Sequence, residues 1–271
     1  MGKIDITSVK ICDLYLPEGF NKTKILHVSD LHSANFGKNQ STIIEKSKEL
    51  KPDYVFITGD LIDRKSKKIA PILEYVLKLK KIAPVFCITG NHEWQAGKSG
   101  RKLLDILQDQ GITILHDRAT TLQKNGDVIT LLGIDDPYCY NPKADMEYDR
   151  IRAKKFIERL VRLSKDKFSA YTILLSHRPE FFYFYKRVNI NLVFSGHAHG
   201  GQFRIPKLGG VLAPHQGFFP KYSEGVISEE KTTMIVSRGL GNSTFPIRIN
   251  NSPELVLVTL ATDSFKERSW K

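Results

Sequence analysis

Cysteine, tryptophan and methionine are scarce in this chain. Its 271 residues include three cysteines, two tryptophans and three methionines. The cysteines, Cys12, Cys87 and Cys139, are odd in number, far apart and in no C-x-x-C arrangement, which excludes a disulfide framework and a thiolate zinc site. Cys87 lies within the apolar segment VFCITG, where we expect it to fill the core as a small hydrophobic residue. Cysteine usage therefore favours a reducing compartment.

Long apolar runs are absent as well. The first 20 residues, MGKIDITSVKICDLYLPEGF, contain no apolar run of the length that a signal peptide or a membrane span requires. The composition, with 41% hydrophobic and 26% charged residues, is typical of a soluble globular protein. We therefore expect a cytoplasmic protein, with the membrane surface as the alternative location.

Acidic residues are fewer than basic ones, which gives a net charge of +12. A positive field attracts phosphates, nucleic acid or anionic lipid headgroups, so the charge favours an acidic partner without choosing among these. The basic clusters at 64–68 and 152–156 fall in segments that we expect to be helical, where solvated faces explain them best. No basic stretch is interleaved with aromatic residues, so nucleic acid is not favoured.

Five short apolar segments share one form: each is rich in β-branched residues and stops at a polar residue. They are KILHVSD, DYVFITGD, VFCITGN, TILLSH and NLVFSGH, which end at Asp30, Asp60, Asn91, His177 and His197. Such continuous hydrophobicity is typical of strands that are buried on both faces. Helical periodicity between them, at 39–50, 67–82, 100–111 and 146–163, predicts alternating strands and helices. This alternation predicts a largely parallel sheet.

The last third of the chain has strand-like segments without helices between them. We expect it to form a second, more antiparallel sheet that packs on the first. No linker, charge run or internal repeat divides the chain, so we expect one domain over residues 1–271 with its core at about 24–260. The predicted fold class is α/β, a two-sheet sandwich of mixed strands flanked by helices.

Potential metal ligands gather at the ends of the five apolar segments. In open α/β sheets, ligands bind at the carboxyl ends of the strands, so we expect these side chains to converge. The set comprises Asp30, His32, Asp60, Asn91, His92, His177, His197 and His199. Carboxylate, amide and imidazole donors together suit Mn, Fe or Zn better than Ca or Mg. Because one catalytic ion must keep an open position, this many donors predicts two ions.

Other conspicuous residues leave alternatives open. His27, His116 and His215 do not follow the strand-end pattern, and we expect them to be structural. Phe218 and Phe219 lie between turn residues, where contact with a membrane or an acyl chain and simple packing are equally consistent. Arg248 is equally consistent with a contact to phosphate and with a buried structural role. Gln202 is equally consistent with a contact to substrate and with fixing its own loop. Gly200 and Gly201 are expected to turn the chain sharply and leave room for substrate.

Five motifs in order, DLH (30–32), GD (59–60), GNHE (90–93), SH (176–177) and GHAH (196–199), resemble those of the calcineurin-like metallophosphoesterases. The segment GHAHGGQFRIPKLGG is similar to the bacterial YkuE/YaeI-type phosphodiesterases of that family. Members of this branch often carry an N-terminal membrane anchor or export signal, which we do not find in this chain. The resemblance implies an α/β/β/α fold.

The resemblance also implies a role for each motif residue. One divalent ion would be held by Asp30, His32 and His199 and the other by Asn91, His177 and His197, with Asp60 bridging the two. His92 would stabilise the transferred phosphoryl group or protonate the leaving group. The two ions, Mn, Fe or Zn, would activate a bridging hydroxide that attacks phosphorus in line.

The sequence therefore predicts a metal-dependent phosphoesterase. Its expected substrate is a phosphodiester or pyrophosphate-type small molecule, linked to a lipid or a nucleotide, and peripheral membrane contact would accompany a lipid substrate. A nuclease of the same fold and a non-catalytic metal-bearing scaffold are the alternatives. The oligomeric state stays open.

Overall fold

A computed structural model describes residues 4–142, 149–205, 208–242 and 247–262. Within these residues, two six-stranded sheets pack face to face, and helices cover both outer faces. The predicted α/β sandwich with four layers is thus confirmed.

The first sheet contains the first three of the five predicted strands. Its order is β1 (Asp5–Asp13), β16 (Glu254–Thr262), β2 (Lys24–Val28), β3 (Tyr54–Ile57), β4 (Val85–Cys87) and β5 (Thr113–Ile114). Strands β2 to β5 are parallel, and β16 pairs antiparallel with β2. Strand β1, which precedes the predicted start of the core at residue 24, pairs in parallel with β16 along its whole length.

The second sheet contains the other two predicted strands. Its order is β14 (Gly225–Glu229), β15 (Thr232–Val236), β9 (Leu192–Ser195), β8 (Thr172–Ser176), β7 (Asp127–Ile134) and β6 (Arg118–Lys124). The four central strands are parallel, and the two edge strands are antiparallel to their neighbours. Two small hairpins follow β9, β10 (Arg204–Ile205) with β11 (Gly209–Gly210) and β12 (Leu212–Ala213) with β13 (Gly217–Phe218).

The helices lie where the periodicity predicts them. The first sheet is covered by α1 (Ser41–Glu49), α2 (Ala70–Lys80) and α4 (Lys98–Asp109), and the second by α5 (Asp149–Leu163) and α6 (Phe182–Arg187). A short helix, α3 (Asn91–Gln95), follows β4. The basic cluster at 64–68 precedes α2 in turn and irregular backbone, so the expectation that it is helical is wrong. None of the helices within the described ranges is long and apolar enough to span a lipid bilayer.

The alternation of side chains along each strand divides the interior into three cores. In β2, Leu26 and Val28 pack towards the helices, whereas Ile25 packs towards the second sheet. In β9, Leu192 packs between the sheets and Val193 packs against the outer helices. Because both faces of these strands are buried, their runs are almost continuously apolar, and the buried His27 in β2 is hydrogen-bonded to Thr58. Each fully buried aliphatic side chain contributes about 1.5–3 kcal/mol.

The two sheets correct one expectation. The sequence places the five ligand-bearing strands in one largely parallel sheet, but they divide between two sheets that both direct their carboxyl ends to the same edge of the sandwich. Among the described residues, the last third does not form the second large sheet by itself, because β14 and β15 extend a sheet begun by earlier strands and β16 joins the first. The site therefore lies where the ends of both sheets meet.

Candidate metal centre

The structure brings all eight predicted residues together at the carboxyl edge of the two sheets. Each of them is at most 9% exposed. The ligand atoms of all except Asn91 form groups whose members lie within 4.8 Å of one another, near enough to share a cation. Isolated charged groups of this kind are rarely buried without a partner. Convergence of the strand ends is thus a feature of the structure, and the roles of the individual residues stay predictions.

The first group consists of Asp30, His32 and His199. The Nε2 atoms of His32 and His199 lie 3.1 Å apart, and the Nε2 atom of His199 lies 3.3 Å from Oδ1 of Asp30. Asp30 is held by the backbone N–H of His197, which donates to its carboxylate at 3.1 Å. Two imidazoles and a carboxylate therefore direct their donor atoms at one point.

The second group consists of Asp60, His177 and His197. The Nε2 atom of His177 lies 3.3 Å from Oδ2 of Asp60 and 3.2 Å from Nδ1 of His197. The Nδ1–H of His177 donates to the backbone carbonyl of Thr58 at 2.7 Å, which turns Nε2 towards the group. A second hydrogen bond of this kind is the usual way in which a protein orients a metal-ligating histidine.

Asn91, at the start of α3, is the remaining predicted ligand. Its Nδ2 donates to Gln95, whereas its buried Oδ1 has no hydrogen-bond partner among the described residues. A buried carbonyl oxygen without a partner is unfavourable, so this atom is available to a cation.

Asp60 lies between the two groups. Its Oδ2 is 3.3 Å from Nε2 of His177 in the second group and 3.5 Å from Nε2 of His32 in the first. Its Oδ1 accepts the backbone N–H of His92 at 2.8 Å, which fixes the orientation of the carboxylate. The donor set of each group fits a divalent ion of the Mn, Fe or Zn type, because it mixes imidazole nitrogen with carboxylate or amide oxygen.

The buried charges interact strongly. Burial alone would raise the pKa of Asp30 and of Asp60, but the neighbouring histidines lower both pKa values below the usual range, so both carboxylates are ionised. Burial opposes protonation of His177, yet Asp60 and Asp30 raise its pKa to about 10. Burial lowers the pKa of His199 to about 3. The raised pKa of His177 shows that the two carboxylates attract positive charge at this place, which a bound cation would supply instead.

One ring nitrogen of His92 is held by a backbone hydrogen bond. Its Nδ1 accepts the backbone N–H of Arg64 at 3.0 Å, so in the neutral ring the proton is on Nε2. Burial lowers the pKa of His92, which keeps the ring neutral. Nε2 lies 4.0 Å from Oδ2 of Asp60, at the edge of the cluster. This atom faces the cluster as a hydrogen-bond donor, although His92 also lies near enough to His32 and Asp60 to hold an ion with them.

Glu93 is an important residue that the sequence reasoning missed, although it ends the quoted GNHE motif. Its buried carboxylate accepts four backbone N–H groups, from Asp60, Leu61, Ile62 and Gly90, at 2.7–3.3 Å. Burial and Asp60 raise the pKa of Glu93 to about 7, and these N–H groups act against that shift. Glu93 therefore joins the loop after β3 to the start of α3, the two segments that carry Asp60 and Asn91.

The backbone of the candidate ligands is strained. Five of them have a positive φ, between 47° and 65°, namely Asp30, His32, Asp60, His197 and His199. A residue other than glycine in this region costs of order 1 to 3 kcal/mol and persists only where the surroundings enforce it. Strain of this kind clusters at functional sites. Here Glu93 holds the backbone N–H of Asp60, and Asp30 holds that of His197.

A further layer of polar residues lies beyond His197. Nε2 of His197 is 3.1 Å from Nδ1 of His215, and Arg178 places Nη1 within 2.9 Å of both atoms. Arg178 is in turn paired with Asp136 and Glu180. His215 thus contacts a candidate ligand, so our expectation that it is merely structural misses this contact. Glu180, His197 and His215 are near enough to hold an ion, but the guanidinium of Arg178 already lies among them.

The two other histidines lie outside the centre. His27 is buried between the sheets, where it contacts Phe194 and Thr58. His116 faces Asp135, with Nδ1 3.0 Å from the carboxylate.

The loop after His199 is tightly packed. Gly200 and Gly201 have φ of 62° and 74°, so the predicted sharp turn is confirmed. A Cβ on Gly201 would lie 2.3 Å from Gly210, so the free space expected beside the glycines is filled by protein. The Nε2 of Gln202 donates to the carbonyl of Ile247 at 2.7 Å, which fixes the loop.

Known proteins resemble this chain in sequence and in fold. The family model of the calcineurin-like phosphoesterases matches residues 23–201. The chain is 31% identical over 265 residues to the uncharacterized metallophosphoesterase YkuE of Bacillus subtilis, which covers 95% of this chain and 85% of YkuE. It is 28% identical over 245 residues to the phosphodiesterase YaeI of Escherichia coli, over 88% of this chain and 82% of YaeI. The phosphopantetheinyl hydrolase PptH of Mycobacterium tuberculosis shares the fold, with a TM-score of 0.50 and 13% identity over 80% of this chain and 89% of that chain.

Proposed function

Because the chain belongs to the calcineurin-like phosphoesterase family, and is therefore a phosphoester hydrolase, we propose that it is a dinuclear phosphodiesterase. The observation that carries this proposal is the position of Asp60, whose Oδ2 lies within 3.5 Å of a histidine from each group. A carboxylate shared in this way suits two neighbouring ions better than one. The relative from Escherichia coli, which is named a phosphodiesterase, supports a diester substrate.

In the proposed enzyme, Asp30, His32 and His199 hold one divalent ion, Asn91, His177 and His197 hold the other, and Asp60 contacts both. Bound divalent ions would polarise the phosphoryl oxygens and lower the pKa of water at the site towards neutrality. Mn, Fe and Zn all fit the donor set.

His92 acts as a hydrogen-bond donor in this proposal. Its Nε2–H faces the cluster while Nδ1 is held by the N–H of Arg64. A donor in this place stabilises charge that develops on the transferred phosphoryl group, whereas protonation of the leaving alkoxide would need the imidazolium form, which burial disfavours. One preorganised donor of this kind typically contributes ~10²- to 10³-fold in rate.

Hydrolysis of a chromogenic diester, bis(p-nitrophenyl) phosphate, and of the monoester p-nitrophenyl phosphate tests the proposal. We expect Mn²⁺-dependent turnover, with the diester favoured, that falls ~10²-fold or more in His92→Ala. His92→Ala is expected to retain two bound ions, whereas Asp60→Ala is expected to lose at least one. His116→Ala, which removes a histidine outside the centre, is the matched control and keeps full activity. A wild type that binds two ions but hydrolyses neither ester would contradict the proposal and favour the scaffold.

We further propose that the substrate carries a lipid and is met at a membrane surface. Support comes from large apolar side chains that are exposed in the loops after His199, namely Ile205, Leu208, Phe218, Phe219, Ile247 and Ile249. Hydrogen bonds join these loops, since Arg204 donates to Ile249 and Phe219 donates to Val211. Exposed apolar patches at one end of a protein mark interaction surfaces, and the net charge of +12 favours an anionic one.

Sedimentation with vesicles of phosphatidylglycerol and phosphatidylcholine tests the membrane contact. We expect the wild type to bind and the double variant Phe218→Ser/Phe219→Ser to bind at least ~10-fold more weakly, because two exposed aromatic side chains are lost. Phe219 is 63% exposed, and Phe168, also 63% exposed, precedes β8 at the opposite end of the parallel strands. Phe168→Ser is therefore the matched control. Equal binding by all three proteins would contradict the membrane contact.

A further inference from the structure

A cavity of about 430 Å³ opens beside the first group of candidate ligands. Its walls come from Ala34, Phe36, residues 240–242, Arg248 and residues 250–253, and Arg248 is the one charged residue among the described residues that line it. Gly241 in the wall is packed against the backbone of Leu31 and the side chain of His32. The cavity therefore shares a wall with the first group.

Arg248 is incompletely satisfied. Its Nη2 donates to the carbonyl of Gly241 and lies 3.3 Å from Nδ1 of His199. Its Nε and Nη1 atoms are buried and have no hydrogen-bond partner within the described ranges. Nearby Arg238 differs, because it forms ion pairs with Asp5 and Glu254. Arg248 thus combines a positive charge with unused donors.

This arrangement is unfavourable without a ligand. Buried donors that lack an acceptor are unfavourable, and the carboxylates of Asp30 and Glu254 offset the burial of the guanidinium charge only in part. An anion in the cavity would supply both the acceptors and the charge. Guanidinium is also the side chain that best matches the two oxygens of a phosphate or a carboxylate.

The position of Arg248 indicates which kind of anion would bind in the cavity. Nε2 of His199 faces the first group, whereas Nδ1, on the other side of the ring, faces Arg248. The guanidinium is therefore separated from the cluster by an imidazole ring, and the group that it binds is a neighbour of the phosphoryl group at the cluster. A pyrophosphate carries its second phosphate in such a neighbouring position.

We propose that Arg248 binds a second anionic group of the substrate, next to the scissile phosphoryl group, so that the enzyme prefers pyrophosphate-type esters to simple phosphodiesters. The proposal rests on the proposed phosphodiesterase function. It makes Arg248 a residue that determines specificity, and the cavity is the place for the second anion.

Calorimetric binding of three stable probes to the Mn²⁺-loaded protein tests this assignment. Methylphosphonate has one anionic group, methylenebisphosphonate adds a second phosphonate, and phosphonoacetate adds a carboxylate. The measured quantity is the ratio of affinities of each two-anion probe to methylphosphonate. Because hydrogen bonds to charged groups contribute about 1.5–3 kcal/mol, we expect Arg248→Gln to lower the ratio for methylenebisphosphonate by ~10-fold or more. Each ratio is compared between the wild type and the variant, so the contribution of metal chelation, which both proteins share, cancels.

Two further variants complete the design. Arg118→Gln removes an arginine that donates to a backbone carbonyl and lines a different cavity, so it is expected to keep the wild-type ratios. Arg248→Lys keeps the charge but has fewer donors, so we expect an affinity ratio between those of the wild type and Arg248→Gln. It also provides the test if Arg248→Gln does not fold. A larger loss for phosphonoacetate than for methylenebisphosphonate would overturn the phosphate assignment.

Unchanged ratios in a folded Arg248 variant would overturn the proposal as a whole. Failure of the proposed function gives a different result, because the wild type would then not hydrolyse the chromogenic diester, whatever the affinity ratios are.

Discussion

The carboxylate of Glu93 is expected to determine both the stability of the centre and its affinity for metal. In Glu93→Gln, the amide offers one oxygen and one NH₂ group where the carboxylate offers two oxygens. Each carboxylate oxygen accepts two backbone N–H groups, Oε2 those of Asp60 and Gly90, and Oε1 those of Leu61 and Ile62. Whichever way the amide is turned, two buried N–H groups face another donor.

The magnitude follows from the two lost hydrogen bonds. At about 1–3 kcal/mol for each unsatisfied buried donor, the loss is about 2–6 kcal/mol. Burying a neutral amide instead of a carboxylate offsets part of this loss, because burial and Asp60 disfavour the charge of Glu93. We therefore expect a net destabilisation in the lower half of that range. The displaced loop after β3 also carries Asp60, so metal affinity should fall by ~10- to 100-fold.

Urea unfolding in the presence of chelator measures the first effect, and Mn²⁺ titration of the folded protein measures the second. Glu45→Gln, on the exposed face of α1, is the control and should change the free energy of unfolding by no more than about 0.5 kcal/mol. If Glu93→Gln matches this control in both measurements, the carboxylate does not organise the site and the reasoning is refuted.

Three further predictions concern other residues. His215→Phe should weaken binding of the second ion by ~10-fold and leave the first unchanged in a Mn²⁺ titration, because the imidazole contacts Nε2 of His197; equal loss at both sites would contradict this. Gly59→Ala should destabilise the protein in urea by about 1–3 kcal/mol from the backbone angle alone, since φ is 92°. A Cβ would also lie 2.2 Å from a backbone nitrogen. Unchanged stability would show that the loop adapts. The pKa of His116 is raised by its hydrogen bond to Asp135, so its stabilising effect should be fully present below the unfolded value of 6.5 and lost as pH rises through the folded pKa. The wild type should be more stable than His116→Gln by at most about 1 kcal/mol, because this pair is partly exposed, and the difference should shrink with rising pH. A difference that grows with pH would contradict the stabilising pairing of protonated His116 with Asp135.

Much of this site follows from the sequence because the strand ends and their polar residues are local features. Asp30, Asp60 and His177 each follow an apolar run directly, and any fold that aligns the carboxyl ends of those strands brings them together. Which sheet a strand joins is not local. A run buried between two sheets and a run buried between a sheet and helices have the same hydrophobicity, so the division into two sheets could not be predicted.

The residues that the sequence reasoning missed act through contacts between distant segments. His215 lies in a loop and reaches His197 because a short hairpin folds back over the site. Glu93 is identified by the four N–H groups that point at it, and backbone N–H groups leave no mark in a sequence. Arg248 stands out because two of its buried donors lack a described acceptor, which composition does not reveal.

The central claim is that two ions bind here and share Asp60. Anomalous diffraction from crystals of the Mn²⁺-loaded protein, recorded at the manganese edge, tests it most directly. The account predicts two peaks, one coordinated by Asp30, His32 and His199 and the other by Asn91, His177 and His197, with the Asp60 carboxylate touching both. A single peak, or a peak that Asp60 does not reach, would contradict it.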